Sequence, residues 1–216
     1  MVYKITLVIF ITFFILVGEG GTVATYDGID TEFRNVEVDS TILDGWEDEE
    51  GGIVVVGEEG LVRQYDAAAG EWIEGQPAGL PPSCSLGSML AVYGSSPSNI
   101  YVGGENGQFY QWKGSTWLSM SGAAPIQGDE TINCIWVSGQ DIVYVAAGKR
   151  LYHGQGIQWQ TKEIPKVMKS IYGFASDNVY AVGGFGGTGF ADSISHFTIA
   201  GWVSQATPAP SAQGIN

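Results

Sequence analysis

The feature that most constrains this chain is a short unit written five times along it. In its clearest copy, residues 99–117 read NIYVGGENGQFYQWKGSTW: an apolar run (Ile100, Tyr101, Val102), a Gly-rich turn (Gly103 to Gly107) and a second run (Phe109 to Trp112). A second turn (Lys113 to Thr116) leads to a third run opened by Trp117. Short aromatic and β-branched runs punctuated by Gly and Asn are hairpin signals. Aligned on the Gly-rich turn, the other copies are FILVGEGGTVATYDG (14–28), IVVVGEEGLVRQYDA (53–67), IVYVAAGKRLYHGQG (142–156) and VYAVGGFGGTGFADSISHFTIAG (179–201), the last with an insertion in its turn. An aromatic precedes the first run at Trp46, Tyr93, Trp136 and Tyr172. It stands nine residues before the matched Val55 in the first case, and eight before Tyr101, Tyr144 and Tyr180 in the others. Another aromatic closes each unit: Phe33, Trp72, Trp117, Trp159 and Trp202.

Units spaced roughly 40 to 47 residues apart, each with several short strands, match the period of propeller blades rather than of helical or leucine-rich repeats. The expected fold is therefore all-β: a β-propeller with about five recognisable four-stranded blades, either closed or part of a larger ring. Composition agrees. Charged residues make up 15% of the 216-residue chain, against a usual ~25%, aromatics 12%, and there are 32 glycines. No stretch of helical length shows a 3.6-residue apolar period. A net charge of −14 excludes a nucleic-acid backbone as partner, which requires a basic footprint.

The N-terminus reads two ways. Residues 1–17 carry one basic residue, Lys4, and then an apolar run from Ile5 to Val17 interrupted only by Thr6 and Thr12, with Gly18, Gly20 and Gly21 following. That is the pattern of a secretory signal, and it is too short for a stable membrane span. The same residues could be the first strands of blade one, because Phe14 to Val17 stands in register with Ile53 to Val56. They lack the turn that later copies carry as SSPSN, SGQD or ASDN. The repeats occupy residues 14–205, and 206–216 (ATPAPSAQGIN) read as a linker. An export signal would place the protein in the periplasm or outside the cell.

Few residues suggest chemistry. Glu47 to Glu50 form an acidic turn, without the alternate spacing of a calcium loop. Cys84 and Cys134 have no CxxC or His partner for zinc and read as separate thiols, with pairing open in an exported protein. His153 and His196 occupy the repeat slot held by Tyr26, Tyr65 and Trp112, so they read as packing residues. No metal or cofactor is expected. Aromatics repeated in every unit are structural, and function is expected where the units differ.

The repeat, and VYAVGGFGGTGFADSISHFTIAGW most of all, resembles the degenerate propeller repeats of bacterial exported proteins of the BNR-like and photosystem-stability-factor-like kind. The chain lacks their S-x-D-x-G-x-x-W box, and Arg34, Arg63 and Arg150 stand at non-equivalent positions, which argues against a sialidase triad. The resemblance implies antiparallel blades packed radially, with the first run after each connection innermost and the connections on the same face as the Gly-rich turns. It suggests a non-catalytic exported propeller that binds protein or glycan through one face. The alternatives are a five-bladed glycosidase-like enzyme or a purely structural repeat. A glycosidase needs two carboxylates in the channel, and the inner runs offer only Asp44. No catalytic residue is assigned. The candidate binding residues, in non-repeated connections and turns of the presumed top face, are Leu80, Asp129, Glu130 and Phe185.

Overall fold

The Gly-rich turns of the first four copies close hairpins, and every copy of the unit folds as a four-stranded antiparallel meander. The computed structural model describes residues 5–7, 14–73, 78–80, 87–183 and 194–205. Blade 1 contains β1 (Ile5–Leu7), β2 (Phe14–Val17), β3 (Val23–Tyr26) and β4 (Thr31–Phe33). Blade 2 contains β5 (Ile42–Glu47), β6 (Ile53–Gly57), β7 (Val62–Asp66) and β8 (Glu71–Trp72). Blade 3 contains β9 (Met89–Ser96), β10 (Asn99–Gly104), β11 (Phe109–Trp112) and β12 (Trp117–Ser119). Blade 4 contains β13 (Ile132–Val137), β14 (Val143–Ala147), β15 (Arg150–Gln155) and β16 (Gln158–Glu163). Blade 5 contains β17 (Met168–Ala175), β18 (Asn178–Gly183), β19 (Ile194–Thr198) and β20 (Gly201–Gln205).

The chain is a β-propeller of five four-stranded blades. Successive blades pack through their inner strands, β2 on β5, β5 on β9, β9 on β13 and β13 on β17, and an apolar layer fills each of the four spaces. Val54, Val56 and Val62 of blade 2 meet Met89, Ile100 and Trp117 of blade 3, for example. The closing aromatics point back toward the preceding blade. Trp159 packs edge-on against Phe109 of blade 3, and Trp202 against Tyr144 of blade 4.

The aromatic before each hairpin points the other way, into the next blade, and its size is matched there. A Cβ on Gly94 would lie 2.7 Å from the Trp46 ring, and one on Gly173 would lie 2.5 Å from the Trp136 ring. Between them, the smaller Tyr93 packs on a core that contains Val137, the residue equivalent to those glycines. Large ring against glycine and smaller ring against valine keep the blade spacing constant. The ladder also corrects the alignment. Trp46 pairs with Val54, as Tyr93 pairs with Tyr101, Trp136 with Tyr144 and Tyr172 with Tyr180, so the separation is eight residues in all four. The additional glycine at 103–104 had displaced Val55 by one.

In blade 1, β1 pairs with β2, and Ile15 and Val17 are buried against blade 2. The acidic Glu47–Glu50 turn is held by one of its own side chains, as Asp48 Oδ1 accepts hydrogen bonds from the N–H groups of Glu50 and Gly52. Asp44 is buried, and its Oδ2 accepts from Val92 N at 3.1 Å, tying β5 to β9. His153 stacks on Tyr144 and touches Phe197, and burial lowers its pKa. His196 stacks on Tyr180 with Nε2 2.8 Å from Asn178 Oδ1. Cys134 is buried in β13, whereas Cys84, residues 206–216 and Phe185 lie outside the described residues. Among the described residues, no helix is long and apolar enough to cross a membrane.

Candidate functional site

Among the described residues, the blades differ from one another on the rim of the Gly-rich turns, and three local features build the difference. The first is a β-bulge that recurs in four inner strands. Pairing slips by one residue near the start of β5, β9, β13 and β17, leaving Leu43, Leu90, Asn133 and Lys169 outside the ladder. A bulge re-aims the side chain it carries. The residue is leucine in blades 2 and 3, but Asn133 and Lys169 in blades 4 and 5, where Lys169 Nζ donates to Asn133 Oδ1 at 3.2 Å.

The second is the Gly-rich turn. In blades 2 and 3 it carries a glutamate that caps the incoming connection: Glu58 Oε2 accepts from Thr41 N, and Glu105 Oε2 from Ser88 N. The connections thus lie against the Gly-rich turns, the face expected from the repeat. Gly107 shows how closely. Its N–H donates to Glu130 O at 2.7 Å, its φ is +66°, and a Cβ there would stand 2.5 Å from Gln127 O. In blade 4 the acid is absent, and Gly148-Lys149-Arg150 takes its place. The glutamate's own position is Gly148, whose N–H donates to Thr131 O as Glu58 N does to Thr41 O, and the two residues after it are cations.

The third is Glu130. Its side chain is 7% exposed and fully engaged. Oε1 accepts from Arg150 Nη1 at 2.9 Å, and Oε2 accepts from Tyr152 Oη and from Gln127 N. Glu130 in turn raises the Arg150 pKa, and burial together with Glu130 pushes the Tyr152 hydroxyl up. Replacing Glu130 with Ala strands the Tyr152 hydroxyl and the Gln127 N–H. It is expected to cost about 3 kcal/mol, read as a lower denaturation midpoint at unchanged slope.

Between the 127–133 connection, the 148–150 turn and the 163–169 connection lies a cleft of 680 Å³. Lys149, Arg150 and Lys169 face Asp129, Glu130 and Glu163 across it, so it is locally balanced on a chain of net charge −14. Because Glu130 is saturated and Arg150 is bound to it and lies 3.7 Å from Glu163, the exposed charged groups of the cleft are Lys149, Asp129, Glu163 and Lys169, whose Nζ also donates to Asn133. Such a cleft can hold an extended ligand by cations and hydrogen bonds.

Of the residues singled out from sequence, Asp129 and Glu130 both line this cleft. Glu130 differs from expectation: it is an internal support, not an available surface carboxylate, because its three partners converge on it. Leu80 lies elsewhere, half-buried against the layer between blades 2 and 3, next to Ala78, whose carbonyl accepts from Trp117 N. Lys149, Arg150 and Lys169 were missed. Their signal was present: five of the nine Lys and Arg residues (Lys149, Arg150, Lys162, Lys166 and Lys169) fall in one short stretch of an acidic chain.

No protein family and no curated protein matches the sequence. Solved structures do match. The extracellular domain of BT4673 from B. thetaiotaomicron has a TM-score of 0.58 at 14% identity, covering 78% of this chain and 25% of that one. YCF48 bound to D1 peptide has a TM-score of 0.63 at 13% identity, covering 91% and 64%. YCF48 from Cyanidioschyzon merolae has a TM-score of 0.58 at 12% identity, covering 86% and 66%. The shared feature is the propeller fold. The chain thus spans between a quarter and about two thirds of the length of these structures.

Proposed function

We propose that this propeller is a non-catalytic binding protein that takes an extended protein segment in the rim cleft of blades 4 and 5. Lys149 and Lys169 would meet carboxylates of the ligand. The observation that carries the reading is the coincidence of two exceptions to the repeat at one place: the bulge residue turns polar at Asn133 and Lys169, and the acidic turn becomes Lys149-Arg150. In a repeat fold, departures from the common unit are where a site can be built without disturbing the blades. YCF48, which shares the fold, is bound to a peptide. BT4673 contributes an extracellular domain, in keeping with a location outside the cytoplasm for this chain. Protein is favoured over glycan because most exposed side chains of the cleft are charged, and no aromatic is among its described lining residues.

The overall negative charge repels an acidic ligand at long range, but that field is screened beyond about 8 Å at physiological salt, leaving the cleft to decide the docking position. The test uses an unstructured Glu-rich Gly/Ser peptide, with its Gln-for-Glu counterpart as control. The combined change Lys149→Glu with Lys169→Glu is expected to weaken binding of the Glu-rich peptide at least about tenfold, equivalent to 1.4 kcal/mol. The melting temperature should hardly change, since both side chains are exposed. Equal binding by the variant, or equal binding of the two peptides by the parent protein, would overturn the proposal.

A further inference from the structure

In blades 2, 3 and 4 the face directed toward the following blade is covered. Val54, Tyr101 and Tyr144 stand at one repeat position of that face, and Val56, Gly103 and Ala146 at another; all are buried. Blade 5 carries the same face. Tyr172 pairs with Tyr180, Tyr180 with His196 and His196 with Val203, while Val182 pairs with Ile194. Here it meets water. Val182 is 42% exposed, where Ala146 at the same position is 1% exposed, and Phe174 is 67% exposed. At the other end, Phe33 is the closing aromatic that would point back onto a preceding blade, and it is 69% exposed. Blade 1 and blade 5 share no substantial contact among the described residues.

We propose that the outward face of blade 5 is an inter-blade interface, and that its occupant is another four-stranded blade of this same repeat. Continuity with the four interfaces already formed supplies the argument. Tyr172 is the forward-pointing aromatic equivalent to Trp46, Tyr93 and Trp136. Each of those inserts against a residue of the next inner strand that is matched in size, and Tyr93, the other tyrosine, packs with Val137. The occupant therefore presents a valine-sized residue to Tyr172 and a closing aromatic toward Tyr180 and Ile194, the blade 5 equivalents of Tyr144 and Phe109. A second copy of this chain, joined head to tail, would make a ring of ten blades, beyond the usual four to eight.

Blade 4 has the required valine, so the probe is a second copy of residues 120–163 fused after Gln205 in place of 206–216. The extended chain is expected to melt at least about 5 °C higher than the parent, and Phe174→Glu should abolish the gain. No gain, or a gain that survives Phe174→Glu, overturns the proposal. The unmodified chain provides an independent measurement. Phe174→Glu and Val182→Glu should each leave its melting temperature within about 2 °C, and the parent should sediment as a monomer. A large loss of stability would mean that the chain's own residues already cover the face. Self-association removed by Phe174→Glu would assign it to a second copy. Either result overturns the proposal.

Discussion

Replacing Trp117 with Ala is expected to cost about 3–5 kcal/mol, the range for removing a buried indole. Trp117 is 1% exposed and lies in the layer between blades 2 and 3, where it contacts Trp112 and the valines of blade 2. Its backbone N–H also receives the 78–80 segment through Ala78 O, so the outer edge of blade 3 is organised around this residue. The cavity cannot close easily, because rigid sheets on both sides fix the blade spacing. Denaturant titration measures the loss. A cost under about 1 kcal/mol would show that the layer between these blades is loosely packed and that the repeated aromatics are not what sets the spacing.

The second large effect concerns Gly173. Valine at this position would drive its side chain into the Trp136 ring, which already lies 2.5 Å from where a Cβ would sit. The ring is held by Tyr93 and Tyr144, so relief requires blade 5 to move. The expected cost is about 2–3 kcal/mol, at the upper end for overpacking a core. Trp136→Tyr introduced together with Gly173→Val recreates the tyrosine–valine pairing of Tyr93 and Val137, and should recover more than half of that loss. A double-mutant cycle gives the coupling directly. If the double variant is no more stable than additivity requires, size matching between successive blades is not the rule that spaces them.

The fold was legible because a repeat states the same structural instruction several times. A single YVGGENGQFYQW is a hairpin, whereas five copies at a blade-length period define an architecture. The direction of packing could be read less well. Trp46, Tyr93, Trp136 and Tyr172 are visibly equivalent in sequence, but the partners Gly94, Val137 and Gly173 make sense only across the inter-blade space. The bulge was invisible for a related reason. Leu43, Leu90, Asn133 and Lys169 run from leucine to asparagine to lysine, and their equivalence lies in a slip of the hydrogen-bond ladder. Glu130 shows the opposite failure. A carboxylate beside Asp129 in an irregular connection reads as an exposed charge, and nothing local in the sequence reveals that Arg150 and Tyr152 of a neighbouring strand close on it. The cation cluster at 149–169 was legible from charge counting alone, and the overall −14 balance obscured it.

Binding is proposed where blades 4 and 5 depart from the repeat. Amide chemical-shift mapping of the labelled protein during titration with the Glu-rich peptide tests it most directly. The expected perturbations are concentrated in residues 127–133, 148–150 and 163–169 and abolished in the Lys149→Glu, Lys169→Glu variant, with the Asp48–Gly52 turn on the opposite rim unmoved. Perturbations centred on that opposite turn, or spread evenly over all five blades, would contradict it.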